Sequence, residues 1–177
     1  MRIVAGELGG RRLAAPPGRS AAVRPTSDRV REALFSILGD VTGARVLDLF
    51  CGTGALGIEA LSRGAASATL VDNHTSLARR NVAELGIGDR CEVVRSDARA
   101  FLRRGCGRFE LVFCDPPYRL ADRLEADLDT LLPNVLAPGA RLIVEGAARR
   151  PPRLSLPVVT ERRYGDTVVT LYQAGSG

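Results

Sequence analysis

Val46-Leu47-Asp48-Leu49-Phe50-Cys51-Gly52-Thr53-Gly54-Ala55-Leu56-Gly57 leaves an apolar strand, turns on glycines and enters a helix. Gly52, Gly54 and Gly57 satisfy the G-x-G-x-x-G pattern, in which missing side chains allow a tight turn and a close approach of backbone to ligand. Asp72 closes the next apolar run twenty residues after Gly52, where a ribose-binding acid belongs. On these features a nicotinamide dinucleotide fits. Asp48 points elsewhere, because a carboxylate at the mouth of the loop opposes a pyrophosphate but suits a cation. S-adenosylmethionine carries an ammonium and a sulfonium and no phosphate. A purely structural reading also fits this stretch, with Asp48 ordering the turn and the glycines permitting close packing.

Outward from the loop, β-type runs alternate with helical periodicity. Strands are expected at 45–49, 68–72, 91–95, 109–114, 140–145, 156–163 and 167–172, with helices at 54–63, 75–85, 98–104 and 121–132. Such alternation predicts an α/β, doubly wound, mostly parallel sheet of seven strands. No helix separates the last two strands, so they should close as an antiparallel hairpin. The carboxyl ends of the first three strands line one crevice, which brings Asp48, Asp72 and Asp97 toward one ligand. Asp97 fits equally well as a helix N-cap. The candidate cofactor-binding residues are Asp48, Phe50, Gly52, Thr53, Gly54, Ala55, Leu56, Asp72, Asn73, Asp97 and Ala98.

The fourth strand ends in Asp115-Pro116-Pro117-Tyr118. Two prolines fix φ and remove two donors, leaving an acid, a free carbonyl and an aromatic face at the crevice. That set suits the exocyclic amine of a nucleobase: Asp115 and the Pro116 carbonyl accept its two N–H groups and Tyr118 stacks on the ring. Asp115, Pro116, Pro117 and Tyr118 are the candidate catalytic residues. A proline-terminated strand with a packing tyrosine is the plainer alternative.

Upstream, residues 1–25 are rich in Gly, Pro and Arg, with apolar runs at 2–4 and 12–14 able to pair as a hairpin. A helix follows from Thr26 or Ser27, carried by Val30, Ala33, Leu34, Ile37 and Leu38 and stopped by Gly39, with Arg29 and Arg31 on its other face. The division expected is a basic extension, 1–25, before a catalytic domain, 26–177. All 25 basic residues are arginine, and the net charge of +5 lies within residues 1–31, where seven Arg face Glu7 and Asp28. Clustered cations displace counterions from phosphates, so the arm suits a polyanion such as nucleic acid, with Arg11, Arg12, Arg24, Thr26, Arg29 and Arg31 as candidate contacts, and fits a solvated tail equally well. Arg149, Arg150, Arg153, Arg162 and Arg163 are further candidates, each fitting a solvated loop equally well.

With 177 residues and 45% hydrophobic content, the chain has room for one buried core. It has no signal-peptide core and no apolar run of membrane-spanning length, which predicts a cytoplasmic protein without a membrane partner. Without lysine, Schiff-base and P-loop chemistry are excluded. Cys51, Cys91, Cys106 and Cys114 form no C-x-x-C pair and His74 is the only histidine, so no metal site is expected. No G-x-S-x-G elbow presents a serine nucleophile.

The glycine loop with Asp48 and the D-P-P-Y tetrapeptide resemble the Rossmann-like, class I S-adenosylmethionine-dependent methyltransferases that act on amino groups. Arg24-Pro25-Thr26-Ser27-Asp28-Arg29-Val30-Arg31-Glu32-Ala33-Leu34-Phe35, the loop from Leu47 to Gly57, and Tyr164-Gly165-Asp166-Thr167 are similar, more specifically, to the RsmD family. Most of that family has Ala at Cys51 and often Ser at Thr53. The resemblance implies an S-adenosylmethionine-dependent transfer of methyl to N2 of a guanine in bacterial 16S ribosomal RNA, guanine 966. It also implies a target presented in a small-subunit particle, with the amino-terminal arm on RNA, and a monomer is expected. An adenine-N6 methyltransferase of DNA shares D-P-P-Y, and a nicotinamide-dependent oxidoreductase shares the loop and Asp72. An RNA-binding assembly factor with a vestigial pocket is a non-enzymatic alternative. Cytosine-C5 chemistry would need a thiolate, and Cys114 precedes Asp115 inside the strand.

Overall fold

The structure, a computed structural model, describes residues 1–16, 28–105 and 107–176, with residues 118–123 described in backbone alone. Helix α1 (Asp28–Leu38) leads into strand β1 (Arg45–Leu49), α2 (Ala55–Ser62), β2 (Ser67–Asp72), α3 (Ser76–Leu85), β3 (Cys91–Arg95), α4 (Ala98–Arg103) and β4 (Phe109–Cys114). Helix α5 (Tyr118–Leu131), a short 3-10 turn (Leu132–Val135), β5 (Leu136–Ala147), β6 (Val158–Tyr164) and β7 (Thr167–Gln173) complete the chain. Among the described residues the strands form one sheet in the order β3-β2-β1-β4-β5-β7-β6. Neighbours from β3 to β5 are parallel, whereas β7 runs antiparallel to both β5 and β6. The expected terminal hairpin is therefore present, and its second strand is the inner one. Composition explains the insertion: β7 is buried along most of its length, while β6 carries Glu161, Arg162 and Arg163 in the open, as an edge strand must.

Side chains alternate between two cores. Val46, Leu70, Leu111, Phe113 and Ile143 pack with α1, α2 and α3 on one face. Leu47, Leu49, Val112, Cys114, Leu142 and Val144 pack with α4 and α5 on the other. Helices on both faces satisfy strands that are apolar on both sides. Among the described residues no helix is long and apolar enough to cross a membrane.

Three expectations need correction. First, residues 1–16 are not an appendage to a domain beginning at residue 26. The expected hairpin is there, with Arg2 bridging Arg12 and Leu13 N–H donating to the Met1 carbonyl at 3.1 Å. However, Ile3 and Leu13 are buried in the first core, each contributing ~1.5–3 kcal/mol of apolar burial. The Val4 and Ala5 amides donate to the Glu59 carboxylate at 2.7 and 3.1 Å, and Gly6 lies so close to Ser62 that a Cβ would meet its carbonyl oxygen at 1.8 Å. Residues 17–25 lie outside the described residues. Second, α5 starts at Tyr118, not Ala121, because Pro117 serves as its N-cap and a proline is tolerated at a helix start. Third, β5 starts at Leu136, through Pro138 and Gly139, which the composition marks as a turn; a register shift between Phe109 and Leu111 accommodates the longer strand.

Candidate active site at the carboxyl edge of the sheet

The glycine loop leaves β1 through Phe50, a non-glycine residue held at φ 60°, and turns at Gly52 (φ 54°) and Gly54 (φ 78°) before α2. Backbone strain of this kind concentrates where a loop must be held in one shape. A Cβ on Gly57 would meet Leu70 Cδ2 at 2.3 Å, so glycine lets α2 approach the sheet here without displacing Leu70. That approach brings the Gly57 N–H to Asp48 Oδ2 at 2.9 Å. Asp48 is 2% exposed, and burial drives its carboxyl up to about 7 against the pull of the Gly57 bond, with Asp72 adding to the rise.

Asp72 behaves differently. Its Oδ2 accepts from Gly52 N–H at 3.0 Å and its Oδ1 from His74 N–H at 2.8 Å, which ties the end of β2 to the loop. The exposed Asn73 follows it, its carbonyl held by Arg95 Nε at 3.2 Å. Asp97 caps α4, accepting from Arg99 and Ala100 N–H at 3.0 and 3.1 Å, with Ala98 buried behind it. Thr53 and Ala55 are partly exposed and Leu56 is buried. Asp48 and Asp72 are thus tied to the glycine loop, whereas Asp97 and Ala98 open α4 after β3, two strands away from β1, with Asp97 serving as the cap.

Asp115, partly exposed, sits just beyond β4, with Pro116 buried and Pro117 exposed beside it. Its carboxyl is raised well above the ordinary range by burial first, then by Glu145 and Asp48. The Tyr118 side chain lies outside the description. Burial, aided by Asp115 and Asp48, pushes the neighbouring Cys114 thiol far up, and Cys91 is pushed up to about 12, mainly by burial. Neither is a thiolate at neutral pH, so cytosine-C5 chemistry has no nucleophile in them. Among the described residues no three His, Cys, Asp or Glu side chains are grouped to hold a metal.

Of the expected RNA contacts, Arg12 and Arg29 are exposed. Arg11 is exposed but bound, donating to the Glu84 and Leu85 carbonyls at the end of α3 at 2.9 and 3.2 Å. Arg31 is corrected outright: it is fully buried, donates to the Arg2 carbonyl and to Asp28, and faces the buried Glu59 at 4.0 Å. A phosphate has no access to it, and its charge holds the arm against α2. Arg24 and Thr26 lie outside the described residues. Among the C-terminal candidates Arg153 pairs with Glu161 at 2.9 Å and Arg163 Nε donates to the Gly165 carbonyl at 3.0 Å.

Two site residues escape pattern reading. Asn81 of α3, 1% exposed, donates to the Thr53 carbonyl at 2.9 Å and exchanges bonds with Ala14, thereby joining the arm to the glycine loop. Glu145 is the other, buried at the end of β5 beside Asp115. Each is a polar residue inside an otherwise apolar periodic run, and that interruption is the signal that could have found it.

The strand order, the glycine loop after β1 and the Asp-Pro-Pro turn after β4 define a Rossmann-like, class I methyltransferase fold. Residues 1–173 match a family model described as Conserved hypothetical protein 95. The chain is 39% identical to Ribosomal RNA small subunit methyltransferase D of Escherichia coli strain K12, covering 98% of this chain and 89% of that one. It is 34% identical to the protein of the same name in Haemophilus influenzae, covering 98% and 93%. A solved Escherichia coli structure provisionally named as the methyltransferase yhhF superposes with a TM-score of 0.85 at 36% identity, covering 100% of this chain and 99% of that one. An RNA methyltransferase from Salinibacter ruber, solved with S-adenosyl-L-homocysteine, shares the fold at a TM-score of 0.65 and 19% identity, covering 87% and 95%. The chain belongs to the RsmD family, the one its sequence resembles.

Proposed function

We propose that this protein transfers methyl from S-adenosylmethionine to N2 of a guanine in small-subunit ribosomal RNA, as a monomer acting on a subunit particle in the cytoplasm. The observation that carries the reading is the placement of Asp115 and the Pro116 carbonyl one strand away from Asp48 and the glycine loop, in a chain similar throughout to proteins named small subunit methyltransferase D. The donor set fits the cofactor. Asp48 is buried and holds its proton up to about 7, and a sulfonium or ammonium nearby favours the ionised form. Gly52, whose Cβ position meets nothing within 4 Å, leaves the loop backbone open to a ligand.

When bound, the cofactor supplies an electrophilic methyl group. Asp48, Phe50, Gly52, Thr53, Gly54, Ala55 and Leu56 would hold it, with Asp72 and Asn73 toward its ribose and Asp97 and Ala98 toward its adenine. Asp115 and the Pro116 carbonyl accept the two N–H bonds of the guanine amine and set its lone pair toward the methyl carbon. Alignment supplies much of the acceleration. The cofactor would supply the methyl carbon and leave as the neutral thioether, while Asp115 or solvent would take the amine proton. Arg12 and Arg29, with Arg24 from the segment between them, would neutralise phosphates.

The test is transfer of labelled methyl to ribosomal RNA and to partly assembled small subunits, followed by nucleotide mapping. N2-methylguanine in small-subunit RNA is the expected product. Methyl on adenine N6, or tight nicotinamide dinucleotide binding without any response to the methyl donor, would overturn the reading.

A further inference from the structure

The apolar run of β5, Leu142-Ile143-Val144, is interrupted by Glu145, which is 8% exposed. A carboxylate in that place is expensive, since valine or leucine would bury there without a desolvation penalty. Its position is well defined. Cys114 and Val144 are paired in the parallel β4–β5 ladder, so Asp115 and Glu145 are the next residues along two strands about 4.8 Å apart. Alternation continues from Leu111 and Phe113 to Asp115, and from Ile143 to Glu145, so both acids point to the face occupied by Asp48.

The end of β5 is clamped as well. Glu145 pairs with Val169 of β7, and a Cβ on Gly146 would meet Pro152 Cδ at 2.2 Å. The Pro152 carbonyl is in turn held by Tyr172 OH at 3.0 Å. Glu145 is close enough for its charge to act on Asp115, as does that of Asp48.

We propose that Glu145 is a specificity-determining residue that accepts the N1–H of the target guanine while Asp115 and the Pro116 carbonyl hold its 2-amino group. This rests on the guanine-N2 reading above and adds how the base is recognised. A guanine edge presents N1–H beside the 2-amino group, so it offers adjacent donors to adjacent acceptors. An ionised carboxylate only accepts. A base with a lone pair at N1, such as adenine, meets Glu145 with two acceptors facing each other, and a polar site rejects a partner that leaves its groups unpaired.

The experiment uses the full chain and an RNA substrate carrying either guanine or 2-aminopurine at the target position. 2-Aminopurine keeps the 2-amino group but has no hydrogen on N1. Wild-type kcat/KM is expected to favour guanine by about 10- to 100-fold, the range of one charge-assisted hydrogen bond. Glu145→Gln, whose amide can donate to N1, should shrink that ratio by about 10-fold while cofactor affinity stays within about 2-fold, which also reports folding. Equal wild-type rates on the two bases would overturn the proposal without any variant. So would a Glu145→Gln enzyme slowed by the same factor on both. If wild-type enzyme forms no N2-methylguanine on the guanine substrate, the functional reading fails and this inference falls with it.

Discussion

The acids at the carboxyl edge of the sheet fall into two sets with different work. Asp72 and Asp97, on the β2 and β3 side, are partly exposed and bond to backbone N–H groups of the loops that follow them. Asp48 and Glu145, on β1 and β5, are buried, and with burial itself they raise the proton affinity of Asp115 just beyond β4. Each carboxylate of the first set accepts from two backbone amides and so shapes the crevice, whereas Asp48 accepts from Gly57 alone. The second set converges on the substrate side of the glycine loop, where a ligand bearing positive charge or N–H donors suits it.

Removing a member of the second set should be the most damaging change. Asp115→Ala is expected to lower single-turnover methyl transfer by about a thousand-fold or more, with cofactor affinity by calorimetry within a few-fold, because the group acts on the amine alone. Near-normal turnover would break the comparison, leaving the Pro116 carbonyl as sole acceptor.

Asp48→Asn sharpens it by separating charge from shape, since the amide oxygen can still accept from Gly57. Cofactor affinity at pH 8 should fall by about 10- to 100-fold, the value of one charged contact. The pH dependence has a definite sign. The carboxyl is raised in the folded protein from 3.8 to about 7, so the folded state holds the extra proton between those values. Asp48's contribution to stability is full below pH 4 and is lost as pH rises through 7, by up to roughly 4 kcal/mol. Thermal melts of ligand-free Asp48→Asn should lack that decline. Cofactor binding to the wild type should release a proton near pH 6.5 and weaken below it. A flat affinity profile between pH 5.5 and 8 would mean that the ligand does not read this charge.

The first set should respond as structure. Asp97→Ala is expected to destabilise the fold by about 1 kcal/mol in urea unfolding, the usual loss for an N-cap, with turnover at saturating cofactor nearly unchanged. A loss of turnover matching that of Asp115→Ala would erase the distinction. The smallest effect belongs outside both sets. Arg29→Ala should weaken RNA binding a few-fold and reduce the slope of log affinity against log salt by ~0.7–0.9, one phosphate's share, with cofactor affinity unmoved. An unchanged slope would place the RNA track away from α1.

Much of this site was legible in the chain. The strands at 45–49, 91–95 and 109–114 have the bounds their apolar runs predict, because each run is closed by glycine, acid or arginine and no longer-range choice competes. Asp48, the glycines and Asp115-Pro116-Pro117 were equally plain, since the chemistry of a βα turn is written in adjacent residues. The arm was misjudged because Gly, Pro and Arg dominate its composition, whereas Ile3 and Leu13 decide its packing. Arg31 was misjudged because helical periodicity places it on the polar face, and only the approach of Glu59 and the Arg2 carbonyl explains a buried guanidinium.

By itself the sequence determined the βα alternation, the loop and the two acids that flank it, all of which follow from periodicity and turn chemistry within a few residues. Tertiary structure decided the rest: that β7 inserts between β5 and β6, that Glu145 comes to lie beside Asp115, and that Asn81 joins Ala14 to the glycine loop across 67 residues of chain. The reason is range. Propensity acts over one turn or one strand, whereas pairing between distant strands is settled by which of them can be buried on both faces, a comparison made only when the whole sheet is assembled.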